Sequence, residues 1–394
     1  MKKYIIICLS VLGAFSSCKK DNKCESPIAD LTFVLPVYLE DTIPLINNST
    51  NATRFRWELI QNYGSYFLES GTNVYIGDAP HLILHSDVII KLTAANDCNA
   101  STTITKNISN TAYGSGTWVQ KAGSGLAASS AVAFTIGGKG YLGTGGWSYF
   151  FEFDPVSNSW TQKANFAGTA RQSATGFAIG NKGYTGTGDD GNLLNDFWEW
   201  DQATNNWTQK GNFAGTPRKS AIGFSIGNKG YIGTGNDSNF KRDIWEYDPT
   251  TDVWTQKGNF PGLPRYESVS FTIGTHGYMG TGTSYTGRLD DFWEYEPVAD
   301  VWTRKADVGT GIRNFAVGFS VGTKGYIGTG NTNTVYCNND IWEWDPTVNA
   351  WTRKANFPSL GRSGASAFVI GSKGYVAGGS TSWNIPDDLW EFTP

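Results

Sequence analysis

The chain has 394 residues, of which 48 are glycine and 16 are tryptophan, and only 17% are charged. Helical and coiled-coil proteins are rich in Ala, Glu, Lys and Leu, so this composition favours short strands and tight turns. The net charge of −4 argues against non-specific nucleic-acid binding, and the many aromatic residues argue against disorder.

The N-terminus has the pattern of an export signal. Three residues that include Lys2 and Lys3 precede a mostly apolar stretch, residues 4–15, that is too short to span a bilayer. Ser16-Ser17-Cys18 follows, and this segment resembles a bacterial lipoprotein signal with its cleavage box. The resemblance implies that residues 1–17 are removed, that Cys18 carries lipid and that residues 18–23 form an anchor and linker. By the same resemblance, the lysines after Cys18 favour the outer membrane, on its periplasmic or cell-surface face.

The remaining cysteines divide by position. Cys8 leaves with the signal, whereas Cys24 and Cys98 bracket one segment in an oxidising compartment, where a disulfide is expected. Closing that loop would stabilise the fold by roughly 4 kcal/mol in the chain-entropy model. Cys337 has no partner in the sequence and is interpreted as a loop thiol.

Residues 24–112 differ from the rest of the chain. Their apolar residues, such as Phe55, Trp57 and Leu92, lie in short alternating runs that are broken by polar turns. The stretches 48–59 and 88–106 resemble a PKD-like immunoglobulin-type β-sandwich. We expect this domain to be a spacer between the membrane and the following domain.

From residue 117 onward the sequence is a repeat. Its tryptophan series is spaced 42, 47, 47, 48 and 49 residues apart and consists of Trp118, Trp160, Trp207, Trp254, Trp302 and Trp351. Each unit contains W-T-Q-K-x-N-F, then R-x-S-A, then I-G-N-K-G-Y-x-G-T-G, then D-F-W-E-Y-D-P, with variations. Periods of this length indicate a repeat architecture.

Each unit is predicted to form four strands, a to d. Strand a carries a recurring phenylalanine such as Phe177, strand b begins at a tyrosine such as Tyr184, and strands c and d carry aromatic residues. Six such units resemble the kelch repeat, which implies a six-bladed β-propeller over residues 113–394. The rival WD repeat is disfavoured because its Gly-His and Trp-Asp signatures are absent. The repeat ends after strand c, so the strand near residues 117–120 is expected to complete the last blade. The fold class is therefore all-β, with a small immunoglobulin-like sandwich before the propeller.

Two charged series recur on one predicted face. An arginine precedes strand a at Arg171, Arg218, Arg265, Arg313 and Arg362, and an aspartate precedes strand c at Asp196, Asp243, Asp291, Asp340 and Asp388. An arginine ring could bind an anionic ligand, as some kelch propellers do by resemblance. The first unit, however, has Ala128 and Tyr149 in these two positions, and joint loss is what an ion pair within each blade predicts. We therefore favour structural pairs over a ligand site.

The loops between strands b and c vary from copy to copy and open on the same face. Their candidate ligand-binding residues are Trp147, Tyr149, Phe240, Arg242, Tyr285, Arg288, Tyr336 and Trp383. Aromatic platforms mixed with amides and hydroxyls suit a glycan or a protein segment, although ordinary exposed loops would have the same composition.

Catalytic patterns are scarce. Of three histidines only His276 lies in the repeat, on a turn between strands a and b, so neither a copper site like that of galactose oxidase nor a Ser-His-Asp triad is predicted. Asp189 and Asp190 lack the spacing of a calcium loop. The leading hypothesis is a non-enzymatic, lipid-anchored protein that binds a glycan or a protein, with no cofactor and no metal. The alternative is an exported carbohydrate-active enzyme, such as a sialic acid mutarotase or a lyase. The resemblance allows this because sialic acid mutarotases are also exported kelch propellers.

Overall fold

A computed structural model of the chain describes residues 114–394 apart from 310 and 334. In the first 113 residues it describes 5–6, 26–29, 31–35, 44–47, 49–61, 64–69, 73–75, 88–95 and 100–108. All regular elements among these residues are β-strands, so the predicted all-β class is confirmed. The chain divides into two compact units, 1–112 and 113–394. None of the described residues belongs to a helix that is long and apolar enough to cross a bilayer.

The described residues of the first unit form two four-stranded antiparallel sheets, in the orders β1-β2-β3-β6 and β5-β4-β7-β8. The strands are β1 Ile5–Ile6, β2 Leu31–Leu35, β3 Pro44–Asn47, β4 Arg54–Gln61, β5 Gly64–Glu69, β6 Asn73–Tyr75, β7 Val88–Ala95 and β8 Ser101–Ile108. Of the predicted signal segment, only β1 is described, and it pairs with β2. The predicted lipid site Cys18 and the predicted disulfide between Cys24 and Cys98 lie outside the described residues.

The second unit is a β-propeller built from six four-stranded antiparallel sheets, which we call blades 1 to 6 in chain order. The innermost strands, a, are β10 Ala131–Ile136, β14 Thr175–Ile179, β18 Ile222–Ile226, β22 Val269–Ile273, β28 Val317–Val321 and β32 Ser366–Ile370. Strands b are β11 Lys139–Thr144, β15 Lys182–Gly186, β19 Lys229–Gly233, β23 His276–Gly280, β29 Lys324–Gly328 and β33 Lys373–Ala377. Strands c are β12 Phe150–Asp154, β16 Phe197–Asp201, β20 Ile244–Asp248, β26 Phe292–Glu296, β30 Ile341–Asp345 and β34 Leu389–Thr393. Strands d are β13 Ser159–Gln162, β17 Asn206–Lys210, β21 Val253–Lys257, β27 Val301–Lys305, β31 Ala350–Lys354 and β9 Thr117–Lys121. A short hairpin, with the two-residue strands β24 Thr283–Ser284 and β25 Gly287–Arg288, lies in the loop between strands b and c of blade 4.

The six strands a surround a central axis. Each contacts the strand a of the next blade, and β32 of blade 6 contacts β10 of blade 1, so the innermost strands form a closed ring. Strand b begins two residues before the tyrosine predicted to start it, because the pairing with strand a extends to the lysine, as between Ile179 and Lys182. The core lies between neighbouring blades and is mostly aromatic.

A phenylalanine from one blade packs on a glycine of the next, and this contact explains why both residues recur. A Cβ atom built on Gly183 of blade 2 would lie 2.2 Å from Cζ of Phe134 of blade 1. The same arrangement recurs at every other blade boundary, for example between Phe177 and Gly230. Only glycine leaves room there for the aromatic ring, because interiors have no spare volume for a methyl group.

The N-terminal strand β9 completes blade 6. It pairs with β34 in an antiparallel register that sets Trp118 opposite Phe392, and the two rings lie 4.7 Å apart. The first strand of the unit thus joins its last, which covers the edge that β34 would otherwise expose.

Candidate functional site

The five arginines of the R-x-S-A motif are buried and paired within their own blades. Arg265 donates through its two Nη atoms to the two carboxylate oxygens of Asp291, at 2.5 and 2.7 Å. Its Nη1 also donates to the carbonyl of Thr281, and its guanidinium lies 4.8 Å from the centre of the Phe260 ring. The other four pairs are Arg171–Asp196, Arg218–Asp243, Arg313–Asp340 and Arg362–Asp388. The guanidiniums are thus occupied by carboxylates and are not presented to solvent.

The pairing controls the charge of the aspartates. Burial would raise the pKa of Asp243, but the Arg218 guanidinium outweighs it and holds this pKa below its usual value. Asp340 is fully buried beside Arg313, and its pKa is lowered by the same balance. These two pairs therefore stay ionised, as a charge-assisted, two-pronged hydrogen bond requires.

The aromatic residues that were predicted to bind a ligand lie on the loops that follow strand b. Tyr285 of blade 4 stacks on Phe240 of blade 3, with ring centres 4.2 Å apart, and the centre of the Tyr266 ring lies 4.7 Å from that of Phe240. Trp147 and Tyr149 of blade 1 are stacked at 6.1 Å. The structure therefore brings together two pairs of these residues.

The other four predicted loop residues differ in their exposure. Tyr336 and Trp383 are exposed on the loops of blades 5 and 6, and Arg242 is exposed on blade 3. Arg288 is less exposed, and it donates through Nε to Oδ1 of Asn314 at 2.9 Å.

A ring of six residues in the left-handed backbone conformation surrounds the mouth of the central channel. This mouth lies on the face of the propeller where the loops between strands b and c open. Each residue occupies the third position of the R-x-S-A motif. The ring members are Ser130, Ser173, Ser220, Glu267, Phe315 and Gly364, with φ between 52° and 66°. The N–H of each donates to the carbonyl of the ring member in the preceding blade, at 2.7–3.3 Å, so six hydrogen bonds close the circle. Such backbone conformations are costly for residues other than glycine and cluster at functional sites.

Glu267 is the titratable member of this ring. Nδ2 of Asn314 donates to its Oε2 at 2.8 Å, and the hydroxyl of Thr283 donates to the same oxygen at 3.4 Å. Burial raises the pKa of Glu267 to about 7, although these hydrogen bonds and the charges of Arg288 and Lys219 oppose the rise. A carboxyl with this pKa is present in both protonation states near neutral pH, so it can donate or accept a proton.

Phe315 lies next to Glu267 in the ring, and the two residues are joined by a hydrogen bond from the N–H of Phe315 to the carbonyl of Glu267. Both residues line the cavity within the ring, so an aromatic residue and a carboxyl residue are neighbours at the channel mouth. The cavity within the ring measures about 130 Å³. Sites that enclose a small molecule measure about 300–1,000 Å³, so this cavity alone is too small to enclose one.

Sequence reasoning missed Glu267, Asn314 and Phe315. The predicted binding residues lie in the variable loops, whereas the repetition of the R-x-S-A motif indicates a role in the scaffold. The signal was nevertheless present, since the third position of the motif is serine in three copies and Glu267, Phe315 or Gly364 in the others. Among the described residues, no cluster of three or more His, Cys, Asp or Glu side chains could hold a metal ion.

No protein-family model and no curated protein sequence matches the chain. In contrast, 529 chains of solved structures match it, so the fold is common and says little about the ligand. One of them, "Structure of YjhT", is similar with a TM-score of 0.59 and 18% sequence identity, over 68% of this chain and 96% of that chain. The likeness agrees with the β-propeller fold, and at this identity it extends to fold alone.

Proposed function

We propose that the protein binds a carbohydrate at the channel mouth, where Glu267 hydrogen-bonds sugar hydroxyls and Phe315 lies against the sugar ring. The observation that carries the proposal is the carboxyl of Glu267 in a ring position that is serine in three other blades. Both hydrogen bonds that its described neighbours donate end on Oε2. Oε1 is therefore the oxygen that we assign to the ligand.

The charge distribution favours a neutral sugar over an anionic ligand. The five buried arginines are paired with aspartates, and Arg288 donates to the amide oxygens of Asn314 and Asn333. Aromatic faces combined with amides, hydroxyls and one carboxyl are the groups that orient a sugar. In this proposal the propeller is of the kelch type, the first unit is a PKD-like spacer, and Cys18 anchors the protein at the outer membrane, where it meets exported or environmental glycans.

A second candidate is an exported enzyme that acts on the same sugar, such as a mutarotase or a lyase. The pKa of Glu267 favours it, because a group that titrates near pH 7 can transfer a proton in either direction. The open mouth favours binding alone, since catalysis on a sugar gains from a site that excludes water.

A glycan array followed by calorimetric titration of the best ligand tests the proposal. The Glu267→Gln variant keeps the shape and an acceptor oxygen but loses the charge, so we expect affinity to fall about tenfold or more. Glu296→Gln is the matched control, because it removes the same charge from the last residue of strand c of blade 4, at the other end of the blade. Equal affinities of the two variants would refute the site. Conversion of the bound sugar, followed by NMR, would favour the enzyme instead.

A further inference from the structure

The loop after strand b is much shorter in blade 1 than in the other blades. It has two residues, 147 and 148, between Gly146 and Tyr149, whereas the corresponding loops of blades 2 to 6 have seven to nine residues. The longer loops are also tied to the residue after the blade arginine by backbone bridges, as between Gln172 and Asp189. The rim around the channel mouth is therefore interrupted at blade 1.

Two stacked aromatic residues lie in this gap. Trp147 is 49% exposed and Tyr149 is 43% exposed. Tyr149 occupies the position that is aspartate in the other five blades, and Ala128 occupies the arginine position. The short loop is nevertheless anchored, because the carbonyl of Ser148 accepts from the N–H of Phe166 at 2.8 Å and that of Tyr149 accepts from Thr144 at 3.3 Å. Blade 1 thus lacks the ion pair and presents two aromatic faces on a fixed backbone.

The gap faces the proposed sugar site across the mouth. In the closed ring of strands a, blade 1 is three blades from blade 4 in either direction, so it lies opposite the blade that carries Glu267. The ring positions on the side of the gap are Gly364, Ser130 and Ser173, and all three are neutral. A hydroxyl pair, Ser380 and Ser129, lies between blades 6 and 1 at an Oγ–Oγ distance of 3.2 Å.

We propose that the ligand is a neutral oligosaccharide that lies across the channel mouth from Glu267 and leaves over Trp147 and Tyr149. This inference rests on the proposed function and specifies its ligand as a chain rather than a single sugar. A monosaccharide at Glu267 would not reach blade 1, whereas further units would continue through the gap and stack on the two exposed rings. Aromatic faces with neutral hydroxyls suit sugar units better than a charged peptide.

The test uses the full chain and neutral linear oligosaccharides of one to six units from the cellulose, xylan and mannan series. We expect affinity to increase with length by about tenfold or more, as added units bury apolar area on the aromatic rings, and then to level off. Trp147→Ala and Tyr149→Ala should each remove most of that increase and leave monosaccharide binding unchanged. Val156→Ala is the control that should keep it, because this residue is 93% exposed in the turn between strands c and d, at the other end of blade 1.

Three outcomes would overturn the inference. Affinities that do not depend on length would show that the ligand is a single sugar, provided that Glu267→Gln still weakens binding. A length dependence retained in both blade 1 variants would show that the chain leaves elsewhere. If the wild-type protein binds no sugar, or if Glu267→Gln changes the affinity for none of them, the proposed function is refuted and the inference with it.

Discussion

At the residue scale, Glu267 stands out because the scaffold does not require it. Serine satisfies the same left-handed position in blades 1, 2 and 3, where its small side chain adds no charge to the channel mouth. Placing a carboxyl there adds a desolvation cost to the backbone strain. A residue that raises the energy of the folded state in two ways is better explained by ligand recognition than by stability.

The pKa of Glu267 predicts a pH-dependent stability cost. Because the folded-state pKa is about 7 and the ordinary value is 4.5, the unfolded chain is ionised while the folded protein is protonated in this range. The stability contributed by this group therefore falls as pH rises from about 4.5 to about 7 and is constant above that. We expect Glu267→Gln to have the melting temperature of the wild type near pH 4 and to be more stable at pH 8, by roughly 2–3 kcal/mol.

The control residue, Glu296, should contribute to stability with the opposite pH dependence. Backbone N–H groups of Ala299 and Val298 hold the pKa of the partly exposed Glu296 below its usual value. Its contribution to stability is present at neutral pH and is lost as pH falls through the lowered pKa. Glu296→Gln should therefore give no stabilisation at pH 8. Parallel melting curves of the two variants across pH 4–8 would contradict the assignment of Glu267.

At the scale of the element, the Arg–Asp pair joins the end of the long loop before strand c to the segment before strand a. Removing one partner of such a pair leaves the other charge without compensation. We expect Arg265→Ala to lower the free energy of unfolding by about 3–5 kcal/mol, because the side chain is fully buried. Chemical denaturation followed by tryptophan fluorescence measures this change.

Arg304 provides the comparison within the same blade. Its ion pair with Asp307 is exposed, so Arg304→Ala should cost less than about 1 kcal/mol. The double variant Arg265→Ala with Asp291→Ala should recover part of the stability lost in the single variant, because blade 1 folds without either charge. Unchanged melting of Arg265→Ala together with loss of sugar binding would instead assign the arginines to the ligand.

The strands of the propeller were predictable because the sequence pattern of each strand recurs in six copies of the repeat. A single tyrosine or tryptophan says little, but the fixed distance between Trp207 and Trp254 defines a unit whose strands must repeat. The start of strand b was predicted two residues late, since a lysine such as Lys182 is not an apolar signal although its backbone pairs. Which residues meet at the channel mouth could not be read from the sequence, because Glu267 and Asn314 are 47 residues apart and their contact depends on the ring.

At the scale of the whole molecule, the propeller is closed by contacts between its first strand and its last blade. Trp118 of β9 packs against Phe392 and Phe357, and its Nε1 donates to the carbonyl of Ala355 at 3.1 Å. The equivalent residue of blade 2, Trp207, makes the same kind of hydrogen bond to Ala164. The difference is that β17 continues directly from strand c of its own blade, whereas β9 is held in blade 6 by non-covalent contacts alone.

This difference predicts distinct effects of two otherwise matched variants. Trp118→Ala and Trp207→Ala should both lower the free energy of unfolding by about 3–5 kcal/mol, because each leaves a cavity between blades. Only Trp118→Ala should also release β9 below the melting temperature, since β9 is held by its non-covalent contacts with β34 and with the segment that contains Ala355 and Phe357. Limited proteolysis followed by mass spectrometry should then find cleavage at residues 113–123 in Trp118→Ala and not in Trp207→Ala or the wild type. Equal cleavage of the two variants would mean that closure of the ring does not depend on this strand.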